Sequence, residues 1–565
     1  MVAAAAVPKP PNVVLILTDD QGWGDVNLHG NGPLQTPVLD ALAESGARFE
    51  RFFVSPVCAP TRASLLTGRY ALRTGVSGVT HAKEYMRLDE VTLADMFKHA
   101  GYATGCFGKW HNGDVYPYHP NGRGFDEFFG FSAGHWNNYF DTTLDHNGKE
   151  FKTEGYIIDV LTDAAIDFIT EHHDEPFFCY VPYNTPHSPF QVPDKWFDKY
   201  KARGFDDTLA CVYGMVDQLD HSVGRILSAL DKNGIAEETI VIFLGDNGPN
   251  TDRYNGAMRG RKGSVHEGGV RQATFMRWPG KIAPGTIVKP IAAHIDILPT
   301  LAVLTGVHMP KTKPLDGINL APLLTGEADT LPDRQVFSHW AGRGALRTQQ
   351  YRYVRERNGD ALFDMVQDPG QQHDVSDNHP ERTVQFRNAY DDWYAAVTAQ
   401  GLEPPPLPVG HPDRPCATLL APAARLEDGV TFEGGKGWAN DWVSNWTTTA
   451  GKVSWDVEVG QPGTYEIALG YVCKPKNVDA RMTVSIAGQT LTAVVDEAHD
   501  PAPLPSPDRV PRKEVYEKVW ATLSMGEVTL PAGRTKVVVR AKELAGPEAI
   551  DLKYVQVCRV GSPIS

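Results

Sequence analysis

Two unbroken apolar runs, Asn12-Val13-Val14-Leu15-Ile16-Leu17 and Thr239-Ile240-Val241-Ile242-Phe243-Leu244, constrain the fold more than any other feature of the chain. Neither alternates between apolar and polar, so each must be covered on both faces, as a central strand of a parallel sheet is. Each empties into acidic and amide residues: Thr18-Asp19-Asp20-Gln21-Gly22 after the first, Gly245-Asp246-Asn247-Gly248 after the second. In open α/β sheets ligands bind at the carboxyl ends of the strands, so Asp19, Asp20, Asp246 and Asn247 are expected to meet there. Four oxygen donors with no imidazole among them suit a hard cation, Ca²⁺ or Mg²⁺, better than zinc. The plainer alternative for an Asp-Asp pair is a solvated turn or a helix cap.

Further strands follow the same logic. Phe177-Phe178-Cys179-Tyr180-Val181 leads into Tyr183-Asn184-Thr185-Pro186-His187-Ser188-Pro189, and residues 102–108 deliver Lys109-Trp110-His111. Lys109 and His111, two apart, are expected to point the same way from an extended segment. Between the strands lie helical patterns at 36–49, with Thr36 as cap and Pro37 at the first position, at 91–100, closed by Gly101, and at 213–233. Strands alternating with helices place the chain in the α/β class, a mostly parallel sheet with helices on both faces. From about Gly344 the segments shorten and alternate, with a helix at 381–399. Glu403-Pro404-Pro405-Pro406-Leu407-Pro408 reads as a stiff linker. Beyond it, period-two strands at 452–459, 464–471, 481–486 and 535–540 read as an all-β sandwich.

The 69 acidic and 54 basic residues give a net charge of −15, which argues against nucleic acid as a partner and leaves any anionic substrate to be caught locally. No apolar run approaches the ~18 residues of a membrane span. Met1-Val2-Ala3-Ala4-Ala5-Ala6-Val7-Pro8 looks like what remains of a trimmed signal peptide, so an exported, periplasmic or extracellular protein is expected. The seven cysteines show no CxxC or zinc spacing. With Cys58 set aside, Cys106, Cys179, Cys211, Cys416, Cys473 and Cys558 read as isolated buried thiols, Cys473 and Cys558 being the pair an oxidising compartment could join.

Cys58 itself lies in Ser55-Pro56-Val57-Cys58-Ala59-Pro60-Thr61-Arg62-Ala63-Ser64-Leu65-Leu66-Thr67-Gly68-Arg69, a loop entering a helix. The orphan amides of the first turn and Arg62 are expected to make the thiol acidic and reactive. The stretch resembles the sulfatase signature, in which Cys-x-Pro-Ser/Thr-Arg directs oxidation of the cysteine to Cα-formylglycine. Thr61 stands where serine is commoner, and Asn112 departs from the family by following Lys109-Trp110-His111 where an apolar residue is usual, a change expected to alter packing more than chemistry.

The resemblance covers residues 12–397 and implies an alkaline-phosphatase-like fold. Within that span it implies a catalytic α/β domain (12–343) and a small antiparallel subdomain (344–402), and the patterns outside it add a leader remnant (1–11), the linker (403–425) and the appended sandwich (426–565). Ca²⁺ is the family's usual ion, with Asp19, Asp20, Asp246, Asn247 and residue 58 as its ligands. The implied reaction is attack of the formylglycine hydrate on sulfur. Arg62 assists residue 58, Lys109 and Lys262 hold the sulfate, His187 protonates the leaving alcohol, and His111 takes a proton as sulfate is released. Lys262 belongs to Arg259-Gly260-Arg261-Lys262-Gly263, upstream of Glu267-Gly268-Gly269-Val270-Arg271, which resembles the family's glycine-rich lysine segment. His135 matches a family position near the sulfate. Arg253, Arg259 and Arg261 are candidates for reading a neighbouring anion, or are solvated surface charge. Trp136 and Tyr139 offer sugar stacking or core packing, and Trp438, Trp442, Trp446 and Trp455 the same choice, with packing favoured. A sulfated polysaccharide or oligosaccharide is the expected substrate, and a formylglycine-generating enzyme the expected maturation partner. The alternatives are a phosphate or phosphonate ester hydrolase of the same superfamily and a catalytically silent glycan-binding protein.

Overall fold

The unbroken apolar pattern of Asn12–Thr18 is matched by its place in the middle of a ten-stranded sheet. The structure, a computed structural model, describes residues 9–561, so most of the expected leader remnant lies outside the described residues. In spatial order the sheet runs Thr286–Val288, Ala47–Phe49, Thr274–Arg277, Thr239–Gly245, Asn12–Thr18, Phe177–Pro182, Ala103–Lys109, Glu127–Phe131, Thr143–His146 and Lys149–Lys152. From Thr239–Gly245 to Glu127–Phe131 neighbouring strands are parallel. Antiparallel strands flank that parallel centre on both sides.

Both faces are covered. Val13, Leu15 and Leu17 pack with Ala59, Leu65 and Leu66 on one side. Val14 and Ile16 pack on the other with Val216 and Leu219 of the Asp207–Lys232 helix and Leu161 of the Ile157–Glu171 helix. Complete burial of an aliphatic side chain is worth about 1.5–3 kcal/mol, and Val13 to Leu17 are all 0% exposed, which fixes the strand and its polar end in place.

The helix expected at 36–49 is shorter, Pro37–Glu44, and Ala47–Phe49 is a strand paired with Thr274–Arg277. Gly46 enforces the change, because a Cβ there would meet the Met276 carbonyl oxygen at 2.3 Å. Thr36 does not cap this helix. Asp220 does, accepting from the Val38 and Leu39 amides at 3.1 and 2.8 Å.

Val336–Trp340, Arg343–Arg347, Tyr351–Glu356 and Gly359–Asp364 form an antiparallel sheet carrying the Pro380–Thr398 helix through Phe386 and Tyr390. Its first strand begins before the expected change at 344. Buried Glu267 ties this sheet to the larger one, taking Arg352 Nη2 at 2.8 Å and Arg347 Nε at 3.4 Å. The neighbouring Gly269 lies so close to another loop that a Cβ would meet the Ser264 carbonyl oxygen at 2.1 Å.

The C-terminal region is a sandwich of two six-stranded sheets. Part of the stretch expected as a linker belongs to it. Leu407–Val409 pairs with Lys452–Val459, and Cys416–Leu420 pairs with Asp551–Arg559. Pro408 is tolerated because its strand lies at a sheet edge. That second pairing sets Cys416 opposite Cys558, and the two form a disulfide. The expected partner, Cys473, follows Val472, which pairs with Asp551 at the far end of the same strand, roughly 23 Å away at the strand rise. Cys473 therefore stays a free, buried thiol. Tyr85, Val115 and Tyr118 from the first half of the chain pack into the sandwich core. Among the described residues no helix is long and apolar enough to cross a membrane.

Candidate active site

Parallel pairing sets Thr18 beside Gly245, so Asp19-Asp20 and Asp246-Asn247 leave the sheet side by side. Asp20 has a φ of 64°, a left-handed conformation uncommon outside glycine, and its amide donates to Asp246 Oδ1 at 3.2 Å. Asn247 Nδ2 donates to Asp20 Oδ1 at 2.8 Å. Asn247 Oδ1 and Asp19 Oδ1 remain buried without a hydrogen-bond donor. Unsatisfied buried acceptors cost about 1–3 kcal/mol each, and a hard cation is the ligand that removes such a cost for oxygen donors. The donor set therefore fits Ca²⁺ or Mg²⁺. Ligand atoms of Asp19, Cys58 and Asp246 lie within 4.8 Å of one another, which brings residue 58 to the same point.

Charge is distributed unevenly here. Burial and the facing Asp19 push the Asp246 carboxyl up to about 7. Burial acts on Asp19 too, but Lys109, His187 and Arg62 outweigh it and hold its carboxyl well below the usual range.

Cys58 opens the Cys58–Thr67 helix, every residue of which is buried. The Thr61 hydroxyl donates to the Asp246 carbonyl oxygen at 2.6 Å and accepts from the Ser55 amide at 2.9 Å. The hydroxyl residue of the motif thus pins the helix to the carboxylate strand. Arg62 turns its Nη2 to Asp246 Oδ2 at 2.9 Å and its Nη1 to the Lys109 carbonyl oxygen at 2.5 Å. The expected acidic thiol is not found. Burial pushes Cys58 up, against the pull of Lys109 and Lys262. Asn112, the departure from the family pattern, donates to the Ala59 carbonyl oxygen at 3.1 Å and so braces the same helix.

Lys109 Nζ contacts Asp19 Oδ2 at 2.5 Å, and Lys262 Nζ contacts Asp20 Oδ1 at 2.6 Å. Formally, Arg62, Lys109 and Lys262 balance Asp19, Asp20 and Asp246. A divalent ion would leave the cluster positive, the local anion trap that the acidic chain as a whole lacks.

His111 has a φ of 63°, so the extended run ends before it and the expected alternation does not continue. Its Nε2 lies 2.9 Å from the Val79 carbonyl oxygen and must carry the hydrogen. Nδ1 is then the lone pair, and it is buried without a partner. Burial, with Lys109 adding to it, holds His111 well below its ordinary pKa. In His187, Nδ1 lies 2.6 Å from the Ser188 carbonyl oxygen, leaving Nε2 facing Asp20 Oδ2 at 3.7 Å. Burial and Lys262 lower the His187 pKa, against Asp20 and Asp19. His135 stands beside it, with ring centroids 5.9 Å apart, and burial lowers its pKa to about 3.

These groups open into a cavity of about 640 Å³ lined by Cys58, His111, His135, His187, Arg261 and Lys262 among others. Arg259 is not part of the lining, because its guanidinium lies over the Phe363 ring at 5.8 Å. Arg253 is buried against Asp25 at 2.7 Å and donates to the Asp20 carbonyl oxygen at 2.7 Å, so it reads no ligand. Trp136 stacks on Phe131 and Tyr139 is buried with its hydroxyl on the Ser188 carbonyl oxygen, both packing roles. Trp442, Trp446 and Trp455 are buried, whereas Trp438 lines the cavity. Sequence reasoning missed Trp340 of the antiparallel sheet and the segment 510–514 of the sandwich, which complete the wall. The Pro- and charge-rich residues 501–514 carry only the pattern of a surface loop.

Residues 11–307 match the profile of the family described as Sulfatase, and residues 261–389 match N-sulphoglucosamine sulphohydrolase, C-terminal. Human arylsulfatase A is 34% identical over 420 residues, covering 65% of this chain and 79% of that protein. Mouse N-acetylgalactosamine-6-sulfatase is 35% identical over 374 residues, covering 59% and 69%. Among solved structures, Ps i-CgsB in complex with k-i-k-neocarrahexaose superposes with a TM-score of 0.64 at 30% identity, covering 68% of this chain and 93% of that one.

Proposed function

Because this chain belongs to the sulfatase family, we propose that it hydrolyses sulfate esters of an oligosaccharide or polysaccharide, using oxidised Cys58 and a bound Ca²⁺. The observation that carries this reading is the convergence of Asp19, Asp20, Asp246 and Asn247 with Cys58, Lys109 and Lys262 at the floor of a cavity that Asp20, Cys58 and Lys262 line. Two relatives support the carbohydrate class by their names, one an N-acetylgalactosamine-6-sulfatase and the other bound to a neocarrahexaose. The Cys416–Cys558 disulfide favours an oxidising compartment, in keeping with export.

Asp19, Asp20, Asp246 and Asn247 would hold the cation, which supplies Lewis acidity and charge neutralisation. Conversion of Cys58 to formylglycine by a maturation enzyme would supply, beside the cation ligands, an oxygen nucleophile in place of the thiol. Arg62 and Thr61 fix the Asp246 strand against the residue-58 helix, which keeps nucleophile and ligands in register. Lys109 and Lys262 stabilise charge developing on the sulfate oxygens. With Nδ1–H held by the Ser188 carbonyl, His187 must enter the step as the imidazolium, a form that the facing Asp20 and Asp19 favour, and it then donates from Nε2 to the departing alcohol oxygen. His111 accepts a proton at Nδ1, the nitrogen that Val79 leaves bare. Overall, one water is consumed and an alcohol and sulfate are released.

The test is co-expression with a formylglycine-generating enzyme, followed by peptide mass analysis of residue 58 and sulfate release from a panel of sulfated oligosaccharides. The expected result is a peptide in which the CH2–SH of residue 58 has become an aldehyde, with sulfur replaced by oxygen and two hydrogens removed, and turnover tracking the converted fraction. An unconverted thiol with full turnover would overturn the formylglycine reading. Turnover of phosphate esters in preference to sulfate esters would overturn the sulfatase reading.

A further inference from the structure

The segment 501–520 leaves the sandwich without regular secondary structure and crosses to the catalytic half of the chain. It is held there by directed hydrogen bonds. Gln191 Nε2 donates to Ser506 Oγ at 2.8 Å and to Asp508 Oδ1 at 2.7 Å. The Arg509 amide donates to the Phe190 carbonyl oxygen at 3.0 Å. Arg512 Nη1 donates to both the carbonyl and the side-chain oxygen of Asn137 at 2.6 Å, and Asn137 Nδ2 returns a bond to the Val515 carbonyl oxygen at 3.1 Å. Arg512 has a 1% exposed side chain and is also paired with Asp508 at 2.6 Å, so the crossing is anchored by a buried charge pair.

This anchoring delivers one carboxylate to the cavity. Glu514 lines it beside His135 and His187, and its Oε1 accepts from the Ser188 hydroxyl at 2.9 Å. Ser188 is also the residue whose carbonyl holds the His187 ring. Glu514 therefore stands next to His187, the residue read above as the acid that protonates the leaving alcohol. Burial raises its pKa, but the His135 and His187 rings and the Ser188 hydrogen bond together lower it by more, so the carboxyl is ionised at neutral pH.

We propose that Glu514, carried in by the appended sandwich, is a specificity-determining residue that accepts a hydrogen bond from a hydroxyl or amino group on the sugar carbon next to the sulfated one, and that disfavours a second sulfate or a carboxylate there. The proposal rests on the sulfatase reading above. An ionised carboxylate only accepts hydrogen bonds, with about four lone-pair directions, one of which Ser188 occupies. A substrate donor fills another. An anion in the same place meets like charge in a partly dehydrated site, and rejection by an unfavourable contact discriminates as strongly as a favourable one selects.

The experiment measures kcat/KM of the matured, Ca²⁺-loaded full chain and of its Glu514→Gln and Glu514→Asp variants. The probes are nitrophenyl sulfate, a monosulfated galactose, its deoxy analogue lacking the adjacent hydroxyl, and its counterpart with a second sulfate on the adjacent carbon. In the unmodified chain, removal of the adjacent hydroxyl is expected to cost about tenfold. Glu514→Gln is expected to lower turnover of the monosulfated galactose about tenfold more than that of nitrophenyl sulfate, and to narrow the preference over the disulfated sugar. Glu514→Asp, which keeps the charge, is expected to retain that preference. Equal losses on both monosulfates, or a deoxy analogue as good as its parent in the unmodified chain, would overturn the proposal. Turnover of nitrophenyl sulfate with none of the sugars would also overturn it while leaving the sulfatase reading standing. Absence of all sulfate-ester turnover would overturn the parent reading instead.

Discussion

The carboxylate end of the central sheet and the 510–514 segment face the same cavity, yet they reach it by different physics. Asp19, Asp20, Asp246 and Asn247 arrive by strand register: once Asn12–Thr18 and Thr239–Gly245 pair in parallel, their successors have nowhere else to go. Glu514 arrives by docking, through hydrogen bonds to Asn137, Ser188 and Gln191 that span more than 300 positions of sequence. The first region is set by burial of apolar faces, the second by directed polar contacts. In the proposed reading the nucleophile and cation ligands sit on the rigid part, and Glu514 sits on a loop held by polar contacts.

Substitutions on the two sides of the cavity should separate these roles. The largest effect is expected from Cys58→Ala, which should lower sulfate-ester turnover by about 10³-fold or more with thermal stability little changed. Rate assays beside a melting curve check this, and retained activity would remove residue 58 from the chemistry. Asp246→Asn comes next, expected to abolish detectable Ca²⁺ binding in calorimetry and to lower turnover about 10²-fold. Unchanged binding would detach this strand end from the cation. His187→Ala should cost about 10²-fold or more on alkyl sulfates and clearly less on nitrophenyl sulfate, whose phenolate needs little protonation. Equal losses would remove His187 as the acid. The smallest effect is expected from Arg512→Ala, which frees the crossing segment: KM for a sulfated oligosaccharide should rise about fivefold with Ca²⁺ affinity unchanged. A fall in Ca²⁺ affinity would mean that the two regions are not separable.

How much of this was legible in the sequence follows the same division. The central strands and the acidic residues at their ends are local patterns: the strands form as expected and bring Asp19, Asp20, Asp246 and Asn247 side by side. Cys58 was recognisable from its motif, but the work of Thr61 and Arg62 was not, because both act on Asp246, which is remote in sequence. The acidic thiol failed because helix-terminus reasoning ignores complete burial beside two carboxylates. Arg259 and Arg253 failed because a basic cluster in sequence does not say which guanidinium finds a carboxylate of its own, as Arg253 does in Asp25. The disulfide failed for want of register: Cys416 looked like linker until Cys416–Leu420 paired with Asp551–Arg559.

The most direct single measurement is the initial-rate ratio for the sulfate and phosphate monoesters of one sugar alcohol, with matured protein, with and without Ca²⁺. Faster release of sulfate, lost on chelation and restored by Ca²⁺, is the expected result. Faster release of phosphate, or a rate indifferent to chelation, would contradict it.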